Sequence, residues 1–316
     1  MAIIRLHSEF MRGIRMYKDI KNSKDWCLVE RINKGWSRDD KYYIETVNNE
    51  KLLLRLSDIS NYEVKKKEYE IIQVYSTLGF EMSKPIDFGT CDNHQLVYTL
   101  LTFVEGEDLE SVLPKLSTKQ QYELGRKAGI ILKKIHQLKV PDDEIPVQTK
   151  VPHKLNQIER YINSQVRVEY DEIVLQYIKR HLDKMWKQKP TYLHGDFHPG
   201  NLILTPEGTI GVIDFNRWEI GDPYEEFYKL EIFGTECSVP YCIGQIHAYF
   251  EDQVPLQFWE TLAVYVAHAS LYSIAWAEKF GQNDIDKMIE RAQIAFDHYD
   301  YFKSIIPSWY SLNIAK

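Results

Sequence analysis

The sequence predicts an α+β protein with two lobes, a β-rich N-terminal lobe with one helix and a mostly helical C-terminal lobe. Two observations support this fold class. Within the 316 residues, the first hundred contain short alternating segments separated by turn residues, which is typical of strands. From Glu105-Gly106-Glu107 onward, apolar residues recur at helical spacing, with a brief return of strand-like segments near residues 191–213.

The first predicted strands lie before residue 60. Trp26–Ile32 is a strand candidate, and residues 34–40 read as a turn. The alternating segment Lys41–Val47 and the segment Lys51–Leu56 flank Asn48-Asn49. Because such a pair of residues favours a tight turn, the two segments are predicted to form a hairpin.

One helix is predicted in the N-terminal lobe, over Asn61–Gly79, with Gly79 as the stop signal. Its apolar residues share one broad face, namely Val64, Tyr69, Ile71, Ile72, Tyr75 and Leu78. Strands are predicted next at Pro85–Phe88 and Leu96–Phe103. The second has the continuous apolar run of a buried inner strand.

Helices dominate the remainder of the chain. Ser117 and Gln120 match a capping box at the start of a helix that runs to about Leu138. Further helices are predicted at His153–Val168, at Asp171–Lys187 and from Tyr224 to the C-terminus. Short strands are predicted at Thr191–Leu193, Leu202–Leu204 and Ile210–Ile213.

Composition is that of a globular cytoplasmic protein, with 44% apolar and 27% charged residues. Met1–Gly13 lacks an apolar core segment and a cleavage site, so no signal peptide is predicted. The most apolar segment, Phe258–Trp276, contains polar residues such as Glu260 and His268, which indicates a buried helix and no membrane span. The four cysteines have no CxxC spacing and are predicted to be reduced thiols.

The net charge of −7 is concentrated in one segment. Residues 190–250 contain nine acidic and two basic side chains, so the rest of the chain is balanced. The acidic residues are Asp196, Glu207, Asp214, Glu219, Asp222, Glu225, Glu226, Glu231 and Glu236. This excess disfavours nucleic acid as a partner, because phosphate backbones require basic surfaces. It favours a cationic partner near the chemistry, although a solvated acidic surface remains an alternative for the acids other than Asp196 and Asp214.

The residues that carry chemistry lie between His194 and Asp214. Asp196 follows a short apolar strand in an irregular loop, and Asn201 follows Asp196 by five residues. A hairpin then returns the chain to Asp214, which predicts that Asn201 and Asp214 lie side by side near Asp196. Mg²⁺ on a nucleotide prefers few, hard oxygen ligands of this kind. A further carboxylate that binds no metal can accept a hydroxyl proton during phosphoryl transfer.

The pattern Asp-x4-Asn, strand, Asp resembles the catalytic and metal loops of protein kinases. His-Gly-Asp replaces His-Arg-Asp, and Asp214-Phe215-Asn216 replaces Asp-Phe-Gly. Together with the following Gly221-Asp222-Pro223, this form resembles the aminoglycoside phosphotransferase and choline-kinase-like family, over about residues 26–233. The resemblance implies a bilobal protein-kinase-like fold and an ATP-dependent (or GTP-dependent) small-molecule kinase.

By this resemblance Asp196 is the catalytic base, and Asn201 and Asp214 are the Mg²⁺ ligands. Asp222 would brace the loop or face the substrate. No Ala-Pro-Glu segment follows Asp214, which argues against a protein substrate. The expected domains are a nucleotide-binding N-lobe at 1–101, a hinge at 102–107, and a helical C-lobe at 108–316 with the acceptor site.

The resemblance also implies nucleotide-binding residues in the first lobe. Arg55 stands where the family places a phosphate-binding lysine, with Lys51 as the alternative. Glu68 would pair with Arg55, and spacing alone leaves Glu63 and Glu70 open. Ser37 is the hydroxyl donor of the phosphate-covering turn. Thr102 and Val104 would bind adenine through backbone groups.

Several alternative interpretations remain at this point. The predicted acceptor is a small cationic molecule, with an aminoglycoside and a role in antibiotic resistance favoured over choline, homoserine or a sugar. A catalytically silent nucleotide-binding relative is disfavoured, because Asp196, Asn201 and Asp214 are all present. His194, Asp196 and His198 could form a metal trio, but no further ligand is near and both histidines are interpreted as structural. His136 is interpreted as a buried structural histidine.

Overall fold

The computed structural model describes residues 17–33 and 39–311. They divide into two compact units. The first contains the described residues up to Gly106 together with Gly211–Asn216, and the second contains Glu107–Ile210 and the described residues from Arg217 onward. The first is rich in strands and the second is mostly helical, which confirms the predicted fold class. The division of the chain into an N-lobe at 1–101, a hinge at 102–107 and a C-lobe at 108–316 stays a prediction.

In chain order the strands of the described residues are β1 Trp26–Ile32, β2 Asp40–Thr46, β3 Lys51–Asp58, β4 Glu81–Met82, β5 Pro85–Cys91, β6 Leu96–Thr102, β7 Glu107–Asp108, β8 Thr191–Leu193, β9 Leu202–Leu204, β10 Ile210–Val212 and β11 Glu219–Gly221. The α-helices are α1 Tyr62–Ser76, α2 Leu109–Val112, α3 Thr118–His136, α4 Val151–Ile162, α5 Asp171–His181, α6 Val239–Tyr249, α7 Leu256–Ala277 and α8 Gln282–His298. The site also uses short 3₁₀ helices at Pro199–Asn201 and Glu225–Phe227.

The first unit is built on a five-stranded antiparallel sheet with strand order β1-β2-β3-β6-β5. Strand β3 alternates along its length: Leu52, Leu54 and Leu56 are buried in one apolar core with Ile44 and Leu100. Because successive side chains of a strand point to opposite faces, Arg55 lies on the other face of the sheet. The register places Lys41 of β2 directly opposite this arginine.

Helix α1 buries Ile71, Ile72 and Tyr75 of the predicted apolar face but leaves Val64 exposed. Val64 is 66% exposed, and the buried residues are Glu68, Ile71, Ile72 and Tyr75. A carboxylate therefore occupies a position on the inward face of the helix. A buried carboxylate requires a partner, and Glu68 has one in Arg55. Apolar periodicity alone does not identify such a position.

The second unit is held together by close helix packing. Helices α3 and α6 approach closely, and a Cβ atom on Gly125 would lie 2.0 Å from the Tyr241 carbonyl oxygen. Helix α7 is buried along most of its length, as predicted, and α4, α5 and α8 pack against it. Among the helices that the structure describes, none is both long and apolar enough to cross a membrane.

Several features of the second unit differ from the prediction; for example, α5 ends at His181 and not at Lys187. Helix α4 ends at Ile162, well before the predicted Val168, where Ser164 Oγ accepts a hydrogen bond from Val166 N. Such a side-chain turn competes with helix continuation. Strand β11 was not predicted; it pairs antiparallel with β8, the strand that leads into the candidate catalytic loop.

Candidate functional site

The loop from His194 to Asn201 connects β8 with β9, and its backbone donates hydrogen bonds to Glu226. The two carboxylate oxygens of Glu226 accept from the backbone nitrogens of His194 at 3.1 Å and of Gly195 at 2.5 Å. His136 Nε2 lies 3.1 Å from the same carboxylate. His194 is fully buried, and its Nδ1 accepts from Asp196 N at 3.2 Å. The contacts of both histidines are structural, as the sequence interpretation expects.

Gly195 is required by the path of this loop. Its φ of +80° lies in the left-handed region, and an added Cβ would lie 1.8 Å from the Arg217 carbonyl oxygen. No side chain can be accommodated at that distance without moving the backbone. Gly195 thus allows the backbone at Arg217 to pack closely against the loop.

Asp196, the predicted base, is surrounded by cationic and imidazole groups. Lys229 Nζ donates to Asp196 Oδ1 at 2.5 Å, and Arg217 Nε lies 3.6 Å from Oδ2. His198 Nε2 lies 3.7 Å from Oδ1. Burial alone would raise the pKa of Asp196, but the charges of Lys229 and Arg217, joined in acid by that of His198, outweigh it and hold the pKa well below its usual range. The carboxylate is therefore ionised at neutral pH.

Lys229 was missed by the sequence reasoning. Its side chain is only 5% exposed, and Nζ lies 5.1 Å and 5.3 Å from the ring centroids of Tyr228 and Phe233. A signal was present in the sequence, because the acid-rich segment 190–250 contains two basic residues, Arg217 and Lys229. The structure places both beside Asp196.

His198 is held in place by its own contacts. Its ring stacks on Phe233 at 4.8 Å, and Nδ1 accepts from Gly200 N at 3.2 Å. Burial lowers the pKa of His198 to about 4 despite the neighbouring Asp196. It is neutral at physiological pH, which agrees with the structural interpretation.

Asn201, a predicted metal ligand, has its amide oriented by the loop. Nδ2 donates to the Asp196 carbonyl oxygen at 2.9 Å, and the backbone N donates to the His198 carbonyl at 2.9 Å. With the amide nitrogen bound in this way, Oδ1 is the atom left to coordinate a cation.

Asp214, the second predicted metal ligand, lies just after β10 in the first unit. Its φ is +65°, a left-handed conformation that is uncommon outside glycine. Arg55 Nη1 lies 3.3 Å from Oδ1 and Lys41 Nζ lies 3.5 Å from Oδ2. These contacts are long for charged hydrogen bonds, and the side chain remains 23% exposed.

Arg55 is the centre of a buried charge network. Nη1 lies 3.1 Å from Glu68 Oε1, which selects Glu68 over the exposed Glu63 and Glu70. Nε and Nη2 both donate to Asp39 Oδ2, at 3.0 and 2.7 Å. Burial alone would lower the pKa of Arg55, but these carboxylates raise it above its ordinary value.

Lys65 and Lys41 complete the charged cluster of the first unit. Lys65 Nζ donates to Asp39 at 2.6 Å and to Glu68 at 3.0 Å. Lys41 is the more loosely held cation, because its carboxylate contact among the described residues is 3.5 Å long, to Asp214. The alternative Lys51 instead pairs with Glu105 at 2.7 Å, at the far end of β3. Asp39 and Lys41 were not singled out from the sequence.

The remaining predicted nucleotide-binding residues are only partly described. Ser37 lies outside the described residues. Thr102 ends β6, where its Oγ1 accepts from Lys84 N at 2.8 Å. Val104 is buried just after this strand. The roles of Thr102 and Val104 in binding a nucleotide stay predictions.

Asp222 braces the second unit. It is fully buried, Oδ2 accepts from Trp186 N at 2.8 Å and from Tyr265 OH at 3.0 Å, and Oδ1 accepts from Tyr224 N at 3.0 Å. None of these partners belongs to the loop His194–Asn201, so the two roles that the sequence left open for Asp222 stay predictions. Burial raises its pKa.

A cavity of about 300 Å³ opens beside Asp196 within the second unit. Its volume is at the lower end of the range of about 300–1,000 Å³ that is usual for small-molecule sites. Strand β8 contributes Leu193, and the candidate catalytic loop contributes Gly195. Further along the chain, the lining includes Arg217, Glu219, Glu225, Glu226, Tyr228 and Lys229. The helical wall consists of Lys150, His153, Lys154, Gln157, Tyr265, His268, Ala269, Tyr272, Ser273 and Trp276.

The comparisons with known proteins identify the family of this chain. Residues 28–260 match the phosphotransferase enzyme family named APH, and the chain belongs to this family. No curated protein sequence matches the chain. The fold and the family therefore define a small-molecule kinase with a protein-kinase-like fold.

Three solved structures illustrate the similarity. A GDP and kanamycin complex of APH(2'')-IIIa is 18% identical, with 92% of this chain and 98% of that chain covered and a TM-score of 0.67. A ternary complex of APH(4)-Ia with ADP and hygromycin B is 14% identical, covers 91% and 97%, and has a TM-score of 0.66. Amicoumacin kinase with AMP-PNP and Ca²⁺ is 13% identical, covers 95% of both chains, and has a TM-score of 0.63. At these identities the likeness shows the fold.

Proposed function

We propose that this protein transfers the γ-phosphoryl group of ATP or GTP to a hydroxyl group of a small molecule. The observation that carries the proposal is the environment of Asp196. Its carboxylate is held ionised by Lys229 in a loop braced by Glu226, beside an open cavity of about 300 Å³. A positioned carboxylate next to an acceptor cavity is what phosphoryl transfer to an alcohol requires.

The proposed step uses Asp196 mainly to orient the acceptor. The carboxylate accepts the hydroxyl hydrogen and takes the proton as the oxygen–phosphorus bond forms. The bond between the γ-phosphorus and its bridging oxygen breaks, and ADP or GDP leaves. Because the pKa of Asp196 lies well below its usual range, it is a weak base. This suits a loose transition state, in which proton transfer is late and positioning dominates.

Mg²⁺ would neutralise the phosphate charge, and the proposal retains Asn201 and Asp214 as its ligands. The residues fit this role. The Asn201 amide presents its oxygen, and Asp214 is held only by contacts of 3.3 and 3.5 Å, which a divalent cation can replace. Both residues supply the hard oxygen atoms that Mg²⁺ prefers.

For the nucleotide, the proposal retains Ser37, Arg55, Glu68, Thr102 and Val104. All the nitrogens of the Arg55 guanidinium contact carboxylates. Arg55 therefore acts chiefly by positioning Asp214 and Glu68. We add Lys41 as the residue that contacts the phosphates, because Lys41 is paired less tightly with carboxylates than Arg55 is.

The acceptor has two candidate classes. An aminoglycoside-type antibiotic, with an associated role in resistance, is supported by the kanamycin and hygromycin B named in the similar structures. A metabolic hydroxy compound such as homoserine is favoured by the cations that line the cavity of this chain. A cytoplasmic location remains part of the proposal.

The test is ADP release with purified protein, Mg²⁺ and ATP or GTP, over a panel of aminoglycosides, macrolides, choline and homoserine. Acceptor-stimulated release that disappears in Asp196→Asn would support the proposal. Nucleotide binding without stimulated release by any acceptor, in wild type and variant alike, would favour a silent nucleotide-binding protein.

A further inference from the structure

The acids near Asp196 are neutralised by residues distant in sequence. Lys150, just before α4, contacts Glu219, and Lys154 on α4 contacts Glu225. The Glu226 carboxylate is occupied by two backbone nitrogens of the catalytic loop and by His136. Each carboxylate that lines the cavity therefore already has a partner.

The helical wall of the cavity adds no further negative charge. From α7 it presents Tyr265, His268, Tyr272, Ser273 and Trp276, and from α4 it presents Lys154 and Gln157. The lining as a whole contains four lysine and arginine side chains against three glutamates. Although segment 190–250 has an excess of acidic residues, the residues that line the cavity carry no net negative charge. A polycation would find each of these carboxylates already engaged through at least one oxygen atom.

Arg217 is the cation of this lining with the weakest pairing. Its side chain is 44% exposed, and its closest carboxylate contact is 3.6 Å to Asp196, beyond hydrogen-bonding distance. Its guanidinium lies over Trp276, 5.8 Å from the ring centroid. Within residues 17–33 and 39–311, no hydrogen bond of this guanidinium is found. A guanidinium fork held by an aromatic ring is suited to bind a carboxylate in a bidentate manner.

The cavity wall also contains two buried acceptor atoms. Gln157 Oε1 and Glu225 Oε2 have no hydrogen-bond partner among the described residues. Unpaired buried acceptors are costly, so a ligand that supplies an O–H or N–H group would stabilise this wall after a small local adjustment. A hydroxyl group meets that need without any charge, and a single ammonium group does so without net charge when the same ligand carries a carboxylate.

We infer that the acceptor is a small hydroxy compound that carries a carboxylate, has no net positive charge, and is bound through its carboxylate by Arg217. The inference rests on the proposed phosphotransferase function and specifies its substrate class. The hydroxyl group would lie at Asp196, and the carboxylate would lie at the Arg217 fork between Asp196 and Trp276.

The test measures binding by calorimetry in the presence of Mg²⁺ and AMP-PNP, and turnover by ADP release. Matched pairs differ by one carboxylate: homoserine and 3-aminopropan-1-ol, serine and ethanolamine, gluconate and sorbitol. Kanamycin and spermidine serve as polycations. We expect at least one carboxylate to bind about 10-fold to 100-fold more tightly than its partner, as a hydrogen-bonded charge pair predicts.

Arg217→Gln should remove this preference, and Arg180→Gln, an exposed arginine on α5, should keep it. Because the two members of a pair are compared in the same variant, the ratio of their affinities is independent of any effect that Arg217 has on Asp196 or on the nucleotide phosphates. The inference would be overturned if both members of every pair bound equally, or if a polycation bound more tightly than the carboxylates. It would also be overturned if no carboxylate bound at millimolar concentration, or if the affinity ratio within the pairs were unchanged in Arg217→Gln. Stimulated ADP release by a polycation would leave the phosphotransferase proposal standing, whereas loss of nucleotide turnover with every compound would contradict that proposal instead.

Discussion

Lys229 and Asp196 form a buried ion pair, with Nζ 2.5 Å from Oδ1 and side-chain exposures of 5% and 17%. The lysine engages one carboxylate oxygen, and the other lies 3.6 Å from Arg217 Nε. This pair determines the charge state, the orientation and the basicity of the residue that we propose to be catalytic.

Asp196→Asn should abolish phosphoryl transfer and leave Mg·ATP binding largely intact. The amide keeps the size of the side chain but cannot accept the hydroxyl proton. Loss of such a group typically lowers kcat by about 10²–10⁴-fold. Single-turnover ADP release together with calorimetry of nucleotide binding checks this. Turnover at the wild-type rate would show that Asp196 is not the base.

Lys229→Met should lower kcat and shift the acidic limb of the rate profile to higher pH. Lys229 lowers the pKa of Asp196, so its removal raises that pKa and Asp196 becomes protonated at a higher pH. Removing one partner of a buried pair should also cost about 3–5 kcal/mol of stability. Lys179→Met on the exposed face of α5 is the control. An unchanged pH profile in a folded Lys229→Met protein would refute the positioning role.

Gly195→Ala and Gly208→Ala separate backbone strain from steric conflict. Both glycines have positive φ, +80° and +74°, but a Cβ atom would lie 1.8 Å from a carbonyl oxygen only at Gly195 and would meet nothing at Gly208. Gly208→Ala should cost about 1–2 kcal/mol. Gly195→Ala should cost clearly more and reduce turnover. Urea unfolding of both variants measures the difference; equal losses would mean that the loop can shift freely.

Arg55→Ala and Lys41→Ala should have different effects. Removing Arg55 leaves Asp39, Glu68 and Asp214 without their shared partner, so stability should fall by about 3–5 kcal/mol. Lys41→Ala should leave stability nearly unchanged and raise the apparent KM for ATP. Lys51→Ala, which removes an exposed pair with Glu105, is the control. An unchanged KM in Lys41→Ala would exclude Lys41 as the phosphate contact.

Asp39 should make stability depend on pH in the acid range. Burial opposes ionisation of Asp39, but Arg55 and Lys65 outweigh it and lower its pKa to about 2. Because the folded pKa is depressed, the stabilisation is complete above the unfolded pKa of about 3.9 and is lost as pH falls toward 2. Asp39→Asn should flatten this decline in urea unfolding between about pH 4 and pH 2. A decline as steep as in wild type would assign it to other carboxylates.

The local elements of the chain could be predicted from the sequence because strand and helix periods are set by neighbouring residues. Strand Trp26–Ile32 is found at its predicted bounds, and the buried character of α7 is also confirmed. The loop His194–Asn201 and Asp214 could be identified because their spacing is characteristic of the family. Errors occurred where a local competitor acts, as where the Ser164 hydroxyl ends α4 early.

The charge balance of the site could not be predicted from local sequence. The acids of segment 190–250 predicted a cationic acceptor, which stays a prediction. The structure shows that Glu219 and Glu225 are paired with Lys150, just before α4, and with Lys154 on α4. In the first unit, spacing left Glu63, Glu68 and Glu70 open, and the structure selected Glu68 by its contact with Arg55. Ionic interactions depend on distance in space, which a count along the chain does not measure.

The sequence by itself determined the fold class, the phosphotransferase family and the three residues Asp196, Asn201 and Asp214 as candidates for the chemistry. The contacts of Glu226 with the candidate catalytic loop and of Lys229 with Asp196 became visible in the three-dimensional structure. The structure also placed Arg217 at the cavity. A motif is a pattern of residues close together in sequence, so it can be recognised without a structure. The partner of a buried charge depends on which distant residues the packing brings into contact.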